Sequence, residues 1–384
     1  MPGALADLAL GYLEDQQEAM VQFLRRLVLL ESPSSVPESQ IPVFHMLEAK
    51  LRDLAYGTRQ VSGEVSGGFL EAFPLKRPRH VPIQLLLGHC DTVWPLGTLN
   101  RMPVVIQDGA MRGPGTFDMK AGLTQMVFAL QALRDLQLEP PLPPVLLINS
   151  DEEIGSRDST PAIRRLAQIA CRTFVMEPAL GPTGKLKTAR KGVGRFRVTV
   201  RSDSDLEHSP SMAILELSHV VQQLFDLNDV RRGVTVNVGT IDGGLRPDTS
   251  PGEGKAVVDV RVPDAASAQD IEMAIHGIQA RTPGTTVQVE GRMRRPPLER
   301  TWRNRALWHH AQRIGQELGL SLDEGVAGGG SDGNTTSQFS ATLDGLGAVG
   351  DGAHAVHEFV YLDKMVERTA LLTLLLLTPT QVQQ

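Results

Sequence analysis

Between residues 83 and 177 the chain alternates apolar runs of strand length with helical patterns, and each apolar run ends in an acid or a histidine. No other feature limits the possible folds as strongly. IQLLLGH and PVLLIN show no polar alternation, so a strand made from either must be covered on both faces, as in a sheet with helices packed above and below. Between them, DMKAGLTQMVFALQALRDL places Leu123, Met126, Val127, Leu130 and Leu133 on one helical stripe, with Asp118 at or near its N-cap. PAIRRLAQIA reads as a further helix and RTFVM as a short third strand. Strands alternating with helices in this way predict a doubly wound, mostly parallel sheet. Ligands bind such sheets at the carboxyl ends of the strands, so the residues there carry the function.

Three of them raise a problem. Asp151, Glu152 and Glu153 follow VLLINS directly. Adjacent carboxylates repel one another and resist desolvation, so a cation is needed to make the arrangement tolerable. His89 and Asp91 close the preceding strand two residues apart, sharing a face while Cys90 points the other way. A carboxylate often holds the second ring nitrogen of a ligating histidine, and HCD supplies that pair. Asp118 lies in GTFDMKAG, Glu177 directly follows RTFVM, and His354 or His357 comes from GAHAVHE. Singly, each has an ordinary explanation as a core histidine, a helix cap or a solvated turn residue. Together they form the imidazole and carboxylate donor set of a divalent-metal hydrolase, and two cations would neutralise the clustered acids. With only Cys90 and Cys171 present, neither a disulfide framework nor an all-thiolate zinc site is available.

At 384 residues the chain is long enough for two domains. After residue 188 its texture changes to GRFRVTVRS, a helical stretch, VTVNVGTI, KAVVDVRV, a second helical stretch and TTVQVEG. This is the β-α-β-β-α-β order of a ferredoxin-like α+β domain. The fold class expected is therefore α/β, with residues 1–188 and 301–384 forming one domain and 189–300 inserted into it. A net charge of -6 provides no basic surplus for phosphates, which argues against nucleic acid or an anionic membrane and leaves a small molecule or short peptide as substrate. Asp7 and Glu14 interrupt the start where a secretory signal would be basic and then apolar, so a cytoplasmic location is expected. The run LLTLLLL falls well short of the ~20 residues of a membrane helix and reads as a buried one.

In order along the chain, GHCDTVWPLG, GPGTFDMKAG, SDEEIGS, MEP, RKGVG, DVRV, GGGSDGN and GDGAHAVHE resemble the zinc exopeptidase and deacylase family of glutamate carboxypeptidase, acetylornithine deacetylase, succinyl-diaminopimelate desuccinylase and aminoacylase. The resemblance implies a two-zinc catalytic domain, with Co2+ or Mn2+ as possible substitutes, and an inserted domain through which the chain forms a homodimer. It implies that His89, Asp118 and Glu177 hold one zinc and Asp118, Glu153 and His354 the other, with Asp118 bridging. Asp91 would orient His89, and Glu152 would be the general base. Glu177, where the aminopeptidase branch tends to have Asp, favours a carboxypeptidase or deacylase. On the substrate side the resemblance points to Arg261 as the partner of a carboxylate and to Gly329 and Gly330 in the glycine-rich loop. Two departures stand out. Where relatives carry a histidine that stabilises the oxyanion, this chain has RSDSDLEHSPS, with His208 the only nearby imidazole. Where many have a substrate-contacting asparagine, it has Asp248, an acid that needs a partner such as Arg246.

Overall fold

Alternation along two strands explains why their sequences carry no polar face. In the strands Ile83–His89 and Pro144–Asn149, Leu85, Leu87, Val145 and Leu147 enter one apolar cluster, while Leu86, Leu146 and Ile148 enter another on the opposite face. The helix Thr160–Ile169 packs on the first face through Ala162, Ile163 and Leu166. The helices Gln17–Leu29, Ala121–Asp135 and Leu362–Leu377 pack on the second. Each leucine fully buried in these layers contributes about 1.5–3 kcal/mol.

This computed structural model describes residues 2–78, 80–202, 212–244, 246, 248 and 251–379. The chain forms two compact units, one of residues 1–188, 300–326 and 331–384, the other of 189–299 and 327–330. The larger contains a six-stranded sheet in the order Tyr56–Val61, Phe69–Pro74, Pro144–Asn149, Ile83–His89, Ala170–Val175, Ala341–Leu343. The last four strands run parallel, and the first two form an antiparallel extension at one edge.

Three local details differ from the sequence reading. Residues 2–15 form a helix that the sequence reading did not assign, ahead of Gln17–Leu29. A third helix, Pro37–Asp53, starts inside ESPSSVPES, because a proline in the first turn has no N–H to leave unsatisfied. Asp118 caps no helix: it sits at φ -115°, ψ 98° in the turn Thr116–Lys120, before a cis peptide bond to Met119, and the helix begins at Ala121.

The smaller unit is an antiparallel sheet in the order Thr235–Gly243, Glu253–Val262, Gly192–Ser202, Thr285–Arg295. The helices Ala213–Asp226 and Ala265–His276 cover one face through Leu217, Val220, Leu224, Ile271 and Ile275, against Phe196, Val198, Val258 and Val260. Residues 327–330 group with this unit rather than with the returning segment in which the sequence placed them. Arg190 Nη1 donates to the carbonyls of Gly329 and Gly330 at 3.3 Å each, Arg261 Nη1 to that of Gly328 at 2.8 Å, and the Lys191 amide to Ala327 at 3.0 Å.

Candidate metal centre

His89 ends its strand fully buried, and its ring is oriented by its own chain: Nδ1 lies 3.0 Å from the Asp91 carbonyl oxygen and 3.3 Å from Asp91 Oδ1. That leaves Nε2 facing Asp118 Oδ1 at 3.2 Å and Glu177 Oε1 at 3.4 Å. From the far end of the sequence, His354 Nε2 comes within 3.3 Å of Asp118 Oδ2 and 3.1 Å of Glu153 Oε1. Each oxygen of Asp118 thus faces a different imidazole, the placement a carboxylate bridging two cations requires. Ligand atoms of His89, Asp118 and Glu153 all lie within 4.8 Å of one another, as do those of His89, Glu152 and Glu177.

The loops around the centre are held by buried acids. Asp91 accepts hydrogen bonds from the amides of Glu152 (3.2 Å) and Glu153 (3.1 Å) and from Ser34 Oγ (2.7 Å), so it fixes the two-glutamate turn as well as His89. Asp151 does not join its neighbours. It turns back and accepts from the Asp158 amide (2.7 Å), the Ser159 amide (3.2 Å) and Ser159 Oγ (2.6 Å), at the start of the helix Thr160–Ile169. Burial pushes its pKa up to about 6 against those bonds. The cations therefore have two of the three consecutive acids to balance, Glu152 and Glu153. Glu177 is set by close backbone packing: a Cβ on Gly122 would collide with the Met176 carbonyl, and one on Gly347 with the Met176 and Glu177 carbonyls.

Glu358 is the last residue of GAHAVHE, four after His354. It is fully buried, and both its oxygens are used twice: Oε1 accepts from the amides of Phe117 (2.8 Å) and Asp118 (3.1 Å), Oε2 from the Gly115 amide (2.9 Å) and Trp94 Nε1 (2.8 Å).

The electrostatics call for a cation. Burial alone would raise the Asp118 carboxyl, but the His354 and His89 rings beside it overturn that and hold it well below the usual range. Burial would lower His89, yet Asp118, Asp91 and Glu177 drive it well above an ordinary imidazole. Hydrogen bonds to Asp118 and Glu153 push His354 up to about 10. Without a metal, then, protons hold these acids and imidazoles together. Even so, the buried atoms His89 Nε2 and Asp118 Oδ1 have no well-directed hydrogen-bond partner. Two orphaned donor atoms of the right chemistry, pointing at each other from a buried strand end and a buried turn, fit a divalent cation.

The structure thus brings His89, Asp91, Asp118, Glu152, Glu153, Glu177 and His354 together in the larger unit. His354 rather than His357 reaches the acids; His357 is exposed and has no hydrogen bond or ion pair among the described residues. Arg261, Asp248, Gly329 and Gly330 belong to the smaller unit. There Arg261 Nε pairs with Asp259 at 3.0 Å, and Asp248 is held by both sides of the Arg246 guanidinium at 3.0 and 2.8 Å. His208 lies outside the described residues.

The profile of peptidase family M20/M25/M40 matches residues 85–378. Carboxypeptidase G2 of Pseudomonas sp. (strain RS-16) is 25% identical over 353 residues, covering 89% of this chain and 84% of its own. Succinyl-diaminopimelate desuccinylase of Acidovorax ebreus is 26% identical over 298 residues, covering 72% and 75%. Among solved structures, aminopeptidase PepT of Bacillus cereus superposes with a TM-score of 0.74 at 19% identity, over 94% of this chain and 98% of that one. That likeness is one of fold.

Proposed function

We propose that this chain, which belongs to peptidase family M20/M25/M40, uses two zinc ions to hydrolyse an amide or peptide bond next to a carboxylate-bearing residue. The observation that carries the reading is Asp118, whose two oxygens face His89 and His354 while Glu177 and Glu153 flank the two imidazoles. His89, Asp118 and Glu177 would hold one ion, and Asp118, Glu153 and His354 the other.

When bound, the ions would supply Lewis acidity to the scissile carbonyl and lower the pKa of the attacking water. Glu152 takes the proton from that water and returns it to the leaving nitrogen. Its backbone N–H, donated to Asp91, holds the carboxylate at the edge of the cluster, with an oxygen within 4.8 Å of the His89 and Glu177 donor atoms. Three ligand carboxylates, Asp118, Glu153 and Glu177, offset three of the ions' four positive charges. The remaining charge favours an oxyanion over a neutral carbonyl. Within the smaller unit, Arg261, whose guanidinium has five N–H donors and gives one to Asp259 and one to Gly328, is the candidate partner for a carboxylate. Carboxypeptidase G2 and the desuccinylase, as relatives, support a carboxypeptidase or deacylase over an aminopeptidase, and so does Glu177 in place of Asp.

The test is turnover by zinc-reconstituted protein on C-terminal glutamate conjugates, N-acyl amino acids and free-amine dipeptides side by side, with Glu152→Gln as control. Wild type should cleave one of the first two classes, and the variant should lose roughly 100- to 10,000-fold while keeping its zinc. Cleavage confined to dipeptides with a free amine would point to the aminopeptidase branch. Equal inactivity of both proteins across the panel would reduce the chain to a metal-binding relative.

We also propose a homodimer formed through the smaller unit. Exposed Ile214, Leu215 and Phe225 on one helix and Ile241 on an edge strand offer it an apolar surface. Sedimentation of a single monomeric species at micromolar concentration would refute it.

A further inference from the structure

We infer that Glu358 is a positioning residue that holds Asp118 in place to bridge the two cations. The inference rests on the two-zinc reading and extends it to a residue that binds neither ion. Glu358 is fully buried and lies four positions after His354, at the end of the same loop. Its carboxylate grips the opposite loop at three points, the amides of Gly115, Phe117 and Asp118, and adds the Trp94 indole. The turn it grips is irregular: Gly115 is left-handed at φ 73°, Asp118 and Met119 depart from helical angles, and its own backbone bonds, Thr116 to Gly113 and Lys120 to Gly115, leave the amides of Phe117 and Asp118 to Glu358. The backbone amide of Asp118 is therefore tied to a buried carboxyl group that lies on the same loop as His354. Two oxygens accepting four N–H donors leave no room for a donor on either, so the site requires a carboxylate and rejects the isosteric amide.

The residue in question touches the ligand loops, and its removal should show in metal binding before it shows in folding. In Glu358→Gln the amide NH2 would face two N–H donors, shifting the turn and pulling Asp118 away from one or both ions. Metal-free protein is titrated with Co2+ and followed by its visible absorption, with thermal unfolding of the metal-free forms measured alongside. Wild type should bind two Co2+. The variant should bind at least one of them about 10- to 100-fold more weakly, the usual effect of losing a partner behind a metal ligand, with an altered visible spectrum. Glu358→Asp, which keeps the charge but shortens the reach, should restore the spectrum in part.

Two Co2+ bound by Glu358→Gln with wild-type affinity and spectrum would overturn the inference, even if the variant unfolds at a lower temperature. If Glu358→Gln does not fold, Trp94→Phe removes one of the four donors and decides the matter: an affinity loss of about 2- to 10-fold at one ion supports it, and no change overturns it. Wild type binding fewer than two Co2+ would instead sink the two-zinc reading on which the inference stands.

Discussion

Asp91 binds no cation in this account, yet three parts of the centre depend on it. It faces His89 Nδ1, and its two oxygens accept the amides of Glu152 and Glu153, with Ser34 as a fourth partner. Asp91→Asn keeps the shape but turns an NH2 toward donors, and it should weaken zinc about 10- to 100-fold in a chelator competition. An unchanged affinity would show that the neighbouring backbone alone orients His89. The ligand residues could be read from the sequence because imidazole and carboxylate at strand ends have few other uses. Which member of Asp151–Glu153 faces away could not. That direction is set by the loop just before the helix Thr160–Ile169, where the amides of Asp158 and Ser159 and the Ser159 hydroxyl claim Asp151. Glu358 was equally hidden, since its partners lie up to 264 positions earlier in the chain.

Helices meet the centre through glycine. The first turn of Ala121–Asp135 approaches the strand end that carries Glu177 so closely that any side chain at Gly122 would strike the Met176 carbonyl. Gly122→Ala should therefore destabilise by about 1–3 kcal/mol, read as a fall in melting temperature, and should reduce zinc content as Glu177 shifts. By contrast, Gly11 lies in the helix Pro2–Asp15 with nothing within 4 Å of an added Cβ. Gly11→Ala should stabilise by about 0.4–1 kcal/mol and leave zinc unchanged. At this scale periodicity revealed the central elements because burial on two faces or one leaves a clear pattern. The helices at Pro2–Asp15 and Pro37–Asp53 escaped it because proline and serine at their starts read equally well as loop. The glycine contacts are invisible to periodicity, since they depend on how near two backbones come.

In the molecule as a whole, the larger unit has an apolar cluster on each face of its sheet and the smaller has its own, and the proposed metal ligands all belong to the larger. Zinc removal should therefore act on the larger unit, where Asp118, Glu153 and Glu177 lose their counter-ions. Chelation should lower the temperature of the corresponding unfolding transition, and Zn2+ at 100 times its dissociation constant should restore about 2.7 kcal/mol for each site filled. Among the described residues no helix is long and apolar enough to cross a membrane. The most direct measurement is anomalous diffraction at the zinc edge from crystals of the reconstituted protein. Two peaks are expected, one against His89 and Glu177 and one against Glu153 and His354, with Asp118 between them. A single peak, or zinc bound away from Asp118, would contradict the account.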